Sequence, residues 1–153
     1  MKYFIKLGLS FTCLFLSNIA VASTCESDCQ LNQIKGYFIA LDKISRKGSS
    51  NEDIDNLLAL MHDEVKYVHV EYQANFNKTS WREAFIRNLK RGFYQNDDKN
   101  EMRVSNTIFG KNYTAIEYSH GLIQQDGSWQ PSEPLLVLFG FKDGKISLVK
   151  ELW

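Results

Sequence analysis

The last third of the chain alternates apolar runs with turn signals, and this pattern limits the available folds more than any other feature. Four runs have the composition of β-strands: 103–109, 113–123, 135–141 and 146–153. They are separated by turn sequences, namely Gly110-Lys111-Asn112, Asp126-Gly127 and Asp143-Gly144. Asp-Gly between apolar runs favours a hairpin because both turn positions need positive φ. The pattern predicts an antiparallel meander. The run 135–139 is apolar on both faces, which predicts a central strand covered on both sides.

The first half of the chain carries helical periodicity instead. Three segments place apolar residues at helical spacing behind Ser-x-x-Gln or Ser-x-x-Glu sequences that fit capping boxes. The boxes are Ser27 to Gln30, Ser49 to Glu52 and Ser80 to Glu83. The first helix is expected to end at about Arg46. Three helices followed mainly by a meander predict a single α+β domain.

Residues 1–22 have the three parts of a secretory signal peptide: a basic start, an apolar core and a small-residue cleavage site. We expect cleavage after Ala22, a mature domain spanning 23–153, and a secreted or periplasmic protein. The apolar run is shorter than the ~20 residues that a membrane span needs. A lipoprotein is a further alternative because Cys25 follows closely, but Thr24 is unfavourable for that cleavage.

Loss of the leader changes the charge balance. Removing Lys2 and Lys6 from the 18 basic residues leaves 16 against 18 acidic residues, a net charge of −2. This balance argues against non-specific nucleic-acid binding, which depends on excess positive charge. It also argues against an anionic membrane surface as a partner of the mature protein.

The cysteines also divide at the cleavage site. Cys13 leaves with the leader, whereas Cys25 and Cys29 remain as a pair in an oxidising compartment. We expect a structural disulfide that staples the start of the first helix. A redox pair is the alternative, although the spacing is C-x-x-x-C rather than C-x-x-C.

The strand-like segment DEVKYVHVEY, residues 63–72, raises the question of a site. Side chains alternate across a strand, so Tyr67, His69 and Glu71 share one face. If that face is solvated, the segment is an ordinary edge strand. If it points inward, a base and a carboxylate lie together inside the fold.

Two stretches, LLALMHDEVKYVHVEY and FGFKDGKISLVKELW, resemble the nuclear transport factor 2-like superfamily, which includes SnoaL-like cyclases and ketosteroid isomerase. The resemblance spans most of residues 31–153. It implies a cystatin-like roll, in which a curved antiparallel sheet wraps as a cone around the long first helix. The cone usually holds an apolar pocket, and members frequently dimerise through the outer sheet face. Members include enzymes and binders, so the fold does not decide the function.

The resemblance places His69 where the isomerase and several relatives carry an aspartate general base, and it directs Tyr67, His69 and Glu71 into the cone. Histidine can act as a base because its ordinary pKa is ~6.5, and Glu71 would orient its ring. Tyr118, which alternates with buried-type neighbours, would donate to a developing oxyanion. His120 would be a second polar group in the pocket. We expect Tyr67, His69, Tyr118 and His120 to contact the ligand.

Other chemistry finds little support. A metal site from His69, Glu71 and His120 lacks a spaced ligand motif, so no metal or cofactor is expected. There is neither a G-x-S-x-G elbow nor a glycine-rich phosphate loop. Three functions remain: a protein that binds a small apolar ligand without turnover, an isomerase or cyclase using His69, and a homodimeric interaction module.

Overall fold

A computed structural model of the protein describes residues 24–153. The predicted signal peptide and Cys13 lie outside these residues, so cleavage after Ala22 stays a prediction. Over residues 24–153 the chain forms three helices and seven strands in one sheet. The predicted α+β class is confirmed.

The helices follow the predicted periodicity. They are α1 (Ser27–Ser45), α2 (Asn51–Ala59) and α3 (Lys78–Lys90). Each buries one side, and the most deeply buried side chains of α1 include Ile34, Tyr37 and Ile44. All three helices pack on the same face of the sheet, and that face holds the core.

The helix starts differ from the predicted capping boxes. α2 begins with a capping box of Ser50 and Asp53, one residue later than predicted. α3 begins with a capping box of Asn77 and Ser80, three residues earlier than predicted. The N-cap of α1 is Glu26, which makes no side-chain capping hydrogen bond. Neighbouring polar residues compete as caps, and the backbone path of the preceding turn decides between them.

A buried hydrogen-bond network replaces the predicted cap of α1. The amide of Gln30 donates to the carbonyl oxygens of Cys25, at 2.6 Å, and of Gly110, at 3.1 Å. Its oxygen accepts from the Thr114 hydroxyl. Cys25 and Cys29 form a disulfide in the same turn. The start of α1 is thereby tied to a distant hairpin of the sheet.

The strands are β1 (Met61–His69), β2 (Ala74–Asn77), β3 (Asn100–Gly110), β4 (Tyr113–Ile123), β5 (Trp129–Pro131), β6 (Leu135–Lys142) and β7 (Lys145–Glu151). The sheet has the order β2-β1-β7-β6-β4-β3, and β5 extends it beside β4. Among the strands of residues 24–153, only β1 and β7 pair in parallel, so the predicted antiparallel sheet is mixed. Register shifts interrupt three of the pairings, and such bulges bend a sheet.

The hairpin between β6 and β7 forms as predicted. Asp143 and Gly144 have φ values of 51° and 74°, which is the two-residue geometry that Asp-Gly favours. This turn aligns β7 with β6 so that Val149 and Glu151 face the same side as Phe139 and Val137.

One prediction about β6 is wrong. Its inner face is buried, with Val137 and Phe139 almost fully inaccessible, but Leu136 on the outer face is 44% exposed. No helix among residues 24–153 covers that outer face. The apolar run therefore reflects a sheet with a partly exposed apolar exterior rather than a strand covered on both sides.

Candidate functional site

The polar centre of the cone is Glu151, the last residue of β7. It pairs with Val137 of β6 and lies beside His69 of β1, so its position is set by two neighbouring strands. Its side chain follows Val149 onto the inner face, and the residue is only 8% exposed. A carboxyl group is rarely buried in this way without a specific reason.

Two side chains approach the same carboxyl oxygen. The hydroxyl of Tyr67 donates to Glu151 Oε2 at 3.3 Å. His69 Nε2 also lies 3.3 Å from Oε2, but the contact does not have hydrogen-bond geometry. We therefore treat the imidazole as a close neighbour of the carboxyl group rather than as its hydrogen-bond donor.

Burial is the largest influence on the pKa values of Glu151 and His69. Desolvation raises the pKa of Glu151 to about 7, and the hydrogen bond from Tyr67 opposes the rise. Desolvation lowers the pKa of His69, and the nearby charge of Glu71 opposes that fall. Both shifts favour the uncharged forms, because a low-dielectric interior penalises each charge. A proton at Glu151 is consequently exchangeable near neutral pH.

Three buried tyrosines lie close enough to Glu151 for its charge to affect them. Burial raises the pKa of Tyr37, Tyr67 and Tyr118, and the negative charge of Glu151 adds to the rise in each case. All three phenols are therefore neutral groups that can donate hydrogen bonds. This set of tyrosines makes the site a cluster of donors around one acid.

His69 is held by aromatic rings. Its ring stacks on Tyr72 and meets Trp153 edge-on, with both centroid distances at 4.3 Å. Its Nδ1 accepts from the backbone N–H of Tyr72 at 3.5 Å, so a neutral ring carries its proton on Nε2. Neither His69 Nε2 nor the indole N–H of Trp153 has a hydrogen-bond partner among residues 24–153.

A cavity of about 180 Å³ lies beside the carboxyl group, between α1, α3 and the first two strands. We call it the Glu151 cavity. Its lining is Tyr37, Leu41, Tyr67, Phe76, Trp81, Ala84, Phe85, Asn88 and Glu151. Tyr67 stacks between Trp81 and Phe76, with ring centroids 4.6 Å and 6.0 Å away. The cavity is therefore an aromatic space with one acid and one amide.

The residues predicted for the site are only partly brought together. Tyr67 lines the cavity, whereas His69 and Tyr118 are buried on the inner face just outside it. His120 is on the same side of β4 as Tyr118 but is exposed at the end of the sheet. Their proposed roles stay predictions.

The predicted placement of Glu71 is wrong. β1 ends at His69, and Glu71 lies in the following turn with its side chain exposed. Its backbone N–H donates to the carbonyl of Trp153, which turns the chain away from the inner face. The acid beside His69 is therefore Glu151, which comes from the other end of the chain.

Sequence reasoning did not assign a site role to three of the residues that line the cavity: Tyr37, Trp81 and Glu151. Glu151 did leave a signal, because it alternates with Val149 in the closing strand and so falls on its apolar face. Tyr37 and Trp81 belong to helical stripes that predict core rather than cavity. No group of three or more His, Cys, Asp or Glu within residues 24–153 is arranged to hold a metal ion. The helices described here are all too short or too polar to cross a membrane.

The protein is an α+β fold in which an open, curved sheet is covered on one face by helices. The buried carboxyl group of Glu151 lies between the sheet and the helices. Solved structures identify that fold as the nuclear transport factor 2-like fold. TerC co-crystallized with polyporic acid has 13% identity and a TM-score of 0.56, over 82% of this chain and 91% of that chain. An LEH-like epoxide hydrolase of M. tuberculosis has 16% identity and a TM-score of 0.54, over 81% of each chain.

A third similar structure is a nuclear transport factor 2-like protein of unknown function from Burkholderia pseudomallei. It has 11% identity and a TM-score of 0.55, over 82% of this chain and 90% of that chain. At these identities the likeness concerns the fold alone, and it agrees with the fold that the sequence resemblance implied. By sequence, neither a protein-family model nor a curated protein matches the chain.

Proposed function

We propose that this protein binds a small, largely apolar molecule in the Glu151 cavity, and that the Glu151 carboxyl group makes the polar contact. The observation that carries the proposal is a buried acid at the wall of an aromatic cavity. Among residues 24–153 no cation neutralises this acid in hydrogen-bond geometry. An arrangement that costs stability in this way is typical of a binding or active site.

The size of the cavity limits the ligand. Its volume of about 180 Å³ is close to that of an engineered apolar cavity of roughly 150 Å³ that accepts benzene. A single ring is therefore the expected scale of the bound part. Because the surrounding phenols and the protonated carboxyl can donate, a ligand with an acceptor oxygen or a weakly basic nitrogen is favoured.

A second candidate is an enzyme that transfers a proton, of the isomerase or cyclase type. The observation that favours it is the Glu151 pKa of about 7, because an acid–base catalyst works best when its pKa is near the ambient pH. In this version Glu151 exchanges the proton, His69 tunes it, and Tyr67 or Tyr118 stabilises a developing oxyanion. His69 as the base itself is the alternative assignment.

The proposal also includes the location of the protein and its oligomeric state. We place the mature protein outside the cytoplasm on the strength of residues 1–22. A homodimer is supported by exposed apolar side chains on the outer face, among them Ile108, Tyr113 and Leu136. Dimerisation through that face would leave the Glu151 cavity on the opposite side accessible.

Native mass spectrometry of the protein recovered from its secretory compartment tests these points together. The expected mass is that of residues 23–153 plus a small molecule that is lost on denaturation. A mass that retains residues 1–22 would contradict the secretion proposal.

Binding itself is tested by ligand-observed NMR with a panel of single-ring compounds. Glu151→Gln should weaken the binding of the polar compounds in the panel. Glu133→Gln, a substitution in an exposed loop, should leave their binding unchanged. Equal binding to all three proteins would refute Glu151 as the contact. If a panel compound is converted to product, His69→Ala distinguishes the two assignments, because full turnover in that variant excludes His69 as the base.

A further inference from the structure

We propose a second binding site in the groove between α1 and β3, for a single-chain amphiphile with an anionic head, such as an alkyl carboxylate. We call it the α1–β3 groove. Its volume is about 410 Å³, within the range of small-molecule sites. The apolar lining is Leu31, Ile34, Phe38, Ile39, Val104 and Ile116.

The groove is separate from the Glu151 cavity. Tyr37 and Leu41 of α1 line the Glu151 cavity. The groove lies on the flank of α1 that faces the edge strand β3. Along α1 it extends from Leu31 to Ile39, which is about 12 Å at the helical rise of 1.5 Å per residue. An elongated space of this length suits an extended alkyl chain better than a ring.

The groove has a firm apolar floor and exposed apolar walls. Ile34 and Ile116 form the floor and are almost completely buried, whereas Ile39 is 71% exposed and Val104 is 47% exposed. Phe38 is packed from behind by Tyr118, with ring centroids 5.1 Å apart. Concave apolar surface that stays open to water is expected to mark a ligand site.

The charge at the rim selects the head group. Lys35 stands at the rim between Leu31 and Ile39, and it forms no ion pair with any residue from Thr24 to Trp153. Arg46, just beyond the end of α1, is already paired with two aspartates. An anionic head therefore has one open partner at the groove, and its chain lies on the apolar floor.

Thr107, which also lines the groove, adds a hydroxyl that can donate to the same head. A cationic amphiphile would meet the like charge of Lys35. A two-chain lipid would not fit a groove of about 410 Å³. The expected ligand is therefore a free amphiphile with one alkyl chain and an anionic head.

Calorimetric titration with alkyl carboxylates of increasing length, each below its micelle concentration, tests the proposal. Saturable binding of one molecule per chain is expected, and each added methylene should tighten Kd roughly fourfold until the groove is full. An alkyltrimethylammonium of equal length should bind more weakly. Equal or tighter binding of the cation, or no dependence on chain length, would overturn the proposal.

Matched variants locate the site. Lys35→Gln should weaken binding about fivefold and reduce its salt dependence. Ile39→Glu places a negative charge in the groove and should abolish binding. Phe93→Glu is its control, because Phe93 is 64% exposed in the segment after α3 and does not line the groove. If Phe93→Glu weakens binding as much as Ile39→Glu, or if only anionic phospholipid vesicles bind, the proposal is wrong.

Discussion

Replacing Glu151 by glutamine should stabilise the protein at alkaline pH and leave its stability unchanged in acid. The ordinary carboxyl pKa is 4.5, and burial raises that of Glu151 to about 7. Glutamine resembles the protonated acid in shape and can still accept from Tyr67. The substitution therefore removes the cost of ionising a buried group while keeping the packing.

The pH range follows from the direction of the shift. Below 4.5 both the folded and the unfolded chain hold the proton. Between 4.5 and about 7 the unfolded chain releases it and the folded chain keeps it, so the free energy of unfolding of the wild type falls as pH rises. The difference amounts to about 3 kcal/mol at about 1.4 kcal/mol per pH unit.

Urea unfolding, monitored by tryptophan fluorescence, measures the free energy of unfolding of both proteins at about pH 4 and about pH 8. The Glu151→Gln substitution should raise the free energy of unfolding by up to about 3 kcal/mol at the higher pH. His69 is present in both proteins, so its own titration largely cancels in the difference. Glu133→Gln, the exposed control, should change stability by less than about 0.5 kcal/mol at either pH.

The result that refutes this reasoning is a glutamine variant that is less stable than the wild type at about pH 8. It would mean that Glu151 is ionised in the folded protein and stabilised by a protonated His69. In that case the site would be an internal ion pair rather than an uncharged acid next to an uncharged base.

Three further predictions concern individual contacts. Tyr67→Phe should raise the pKa of Glu151, because it removes the one hydrogen bond that opposes the effect of burial; an unchanged carboxyl titration by NMR would contradict this. Gln30→Ala should cost about 2 kcal/mol in urea unfolding, since it leaves buried partners such as the Thr114 hydroxyl unsatisfied, and a loss below about 0.5 kcal/mol would contradict it. Gly144→Ala should cost about 1 kcal/mol because of the positive φ of 74° at that turn, whereas an unchanged unfolding midpoint would show that the turn relaxes.

Local patterns accounted for the elements of the fold but not for their ends. Apolar spacing predicted all three helices, and Asp143-Gly144 predicted the last hairpin. The predicted capping box of α2 failed because Ser49 and Ser50 offer equivalent caps, and the choice between them depends on the path of the preceding turn. A one-residue difference of this kind has no sequence signal of its own.

Exposure of the outer sheet face was also beyond local reasoning. The composition of β6 predicts burial of both faces, yet which face the helices cover is a global property of the packing. Leu136 and Val137 are adjacent and equally apolar, but only Val137 lies under the helices. Their different fates follow from strand alternation once the covered face is known.

The sequence by itself determined the α+β class, the shared strand face of Tyr67 and His69, and the order of the helices and main strands, because each depends on periodicity over a few residues. The inward direction of that face was implied only by the family resemblance. Tertiary structure decided which acid accompanies His69. Glu71 is two positions away yet turns outward, whereas Glu151, 84 positions from Tyr67, accepts its hydrogen bond. That neighbour arises from the parallel pairing of β1 with β7. Pairing between strands so distant in the chain is selected by the packing of the whole sheet, and no local pattern encodes it.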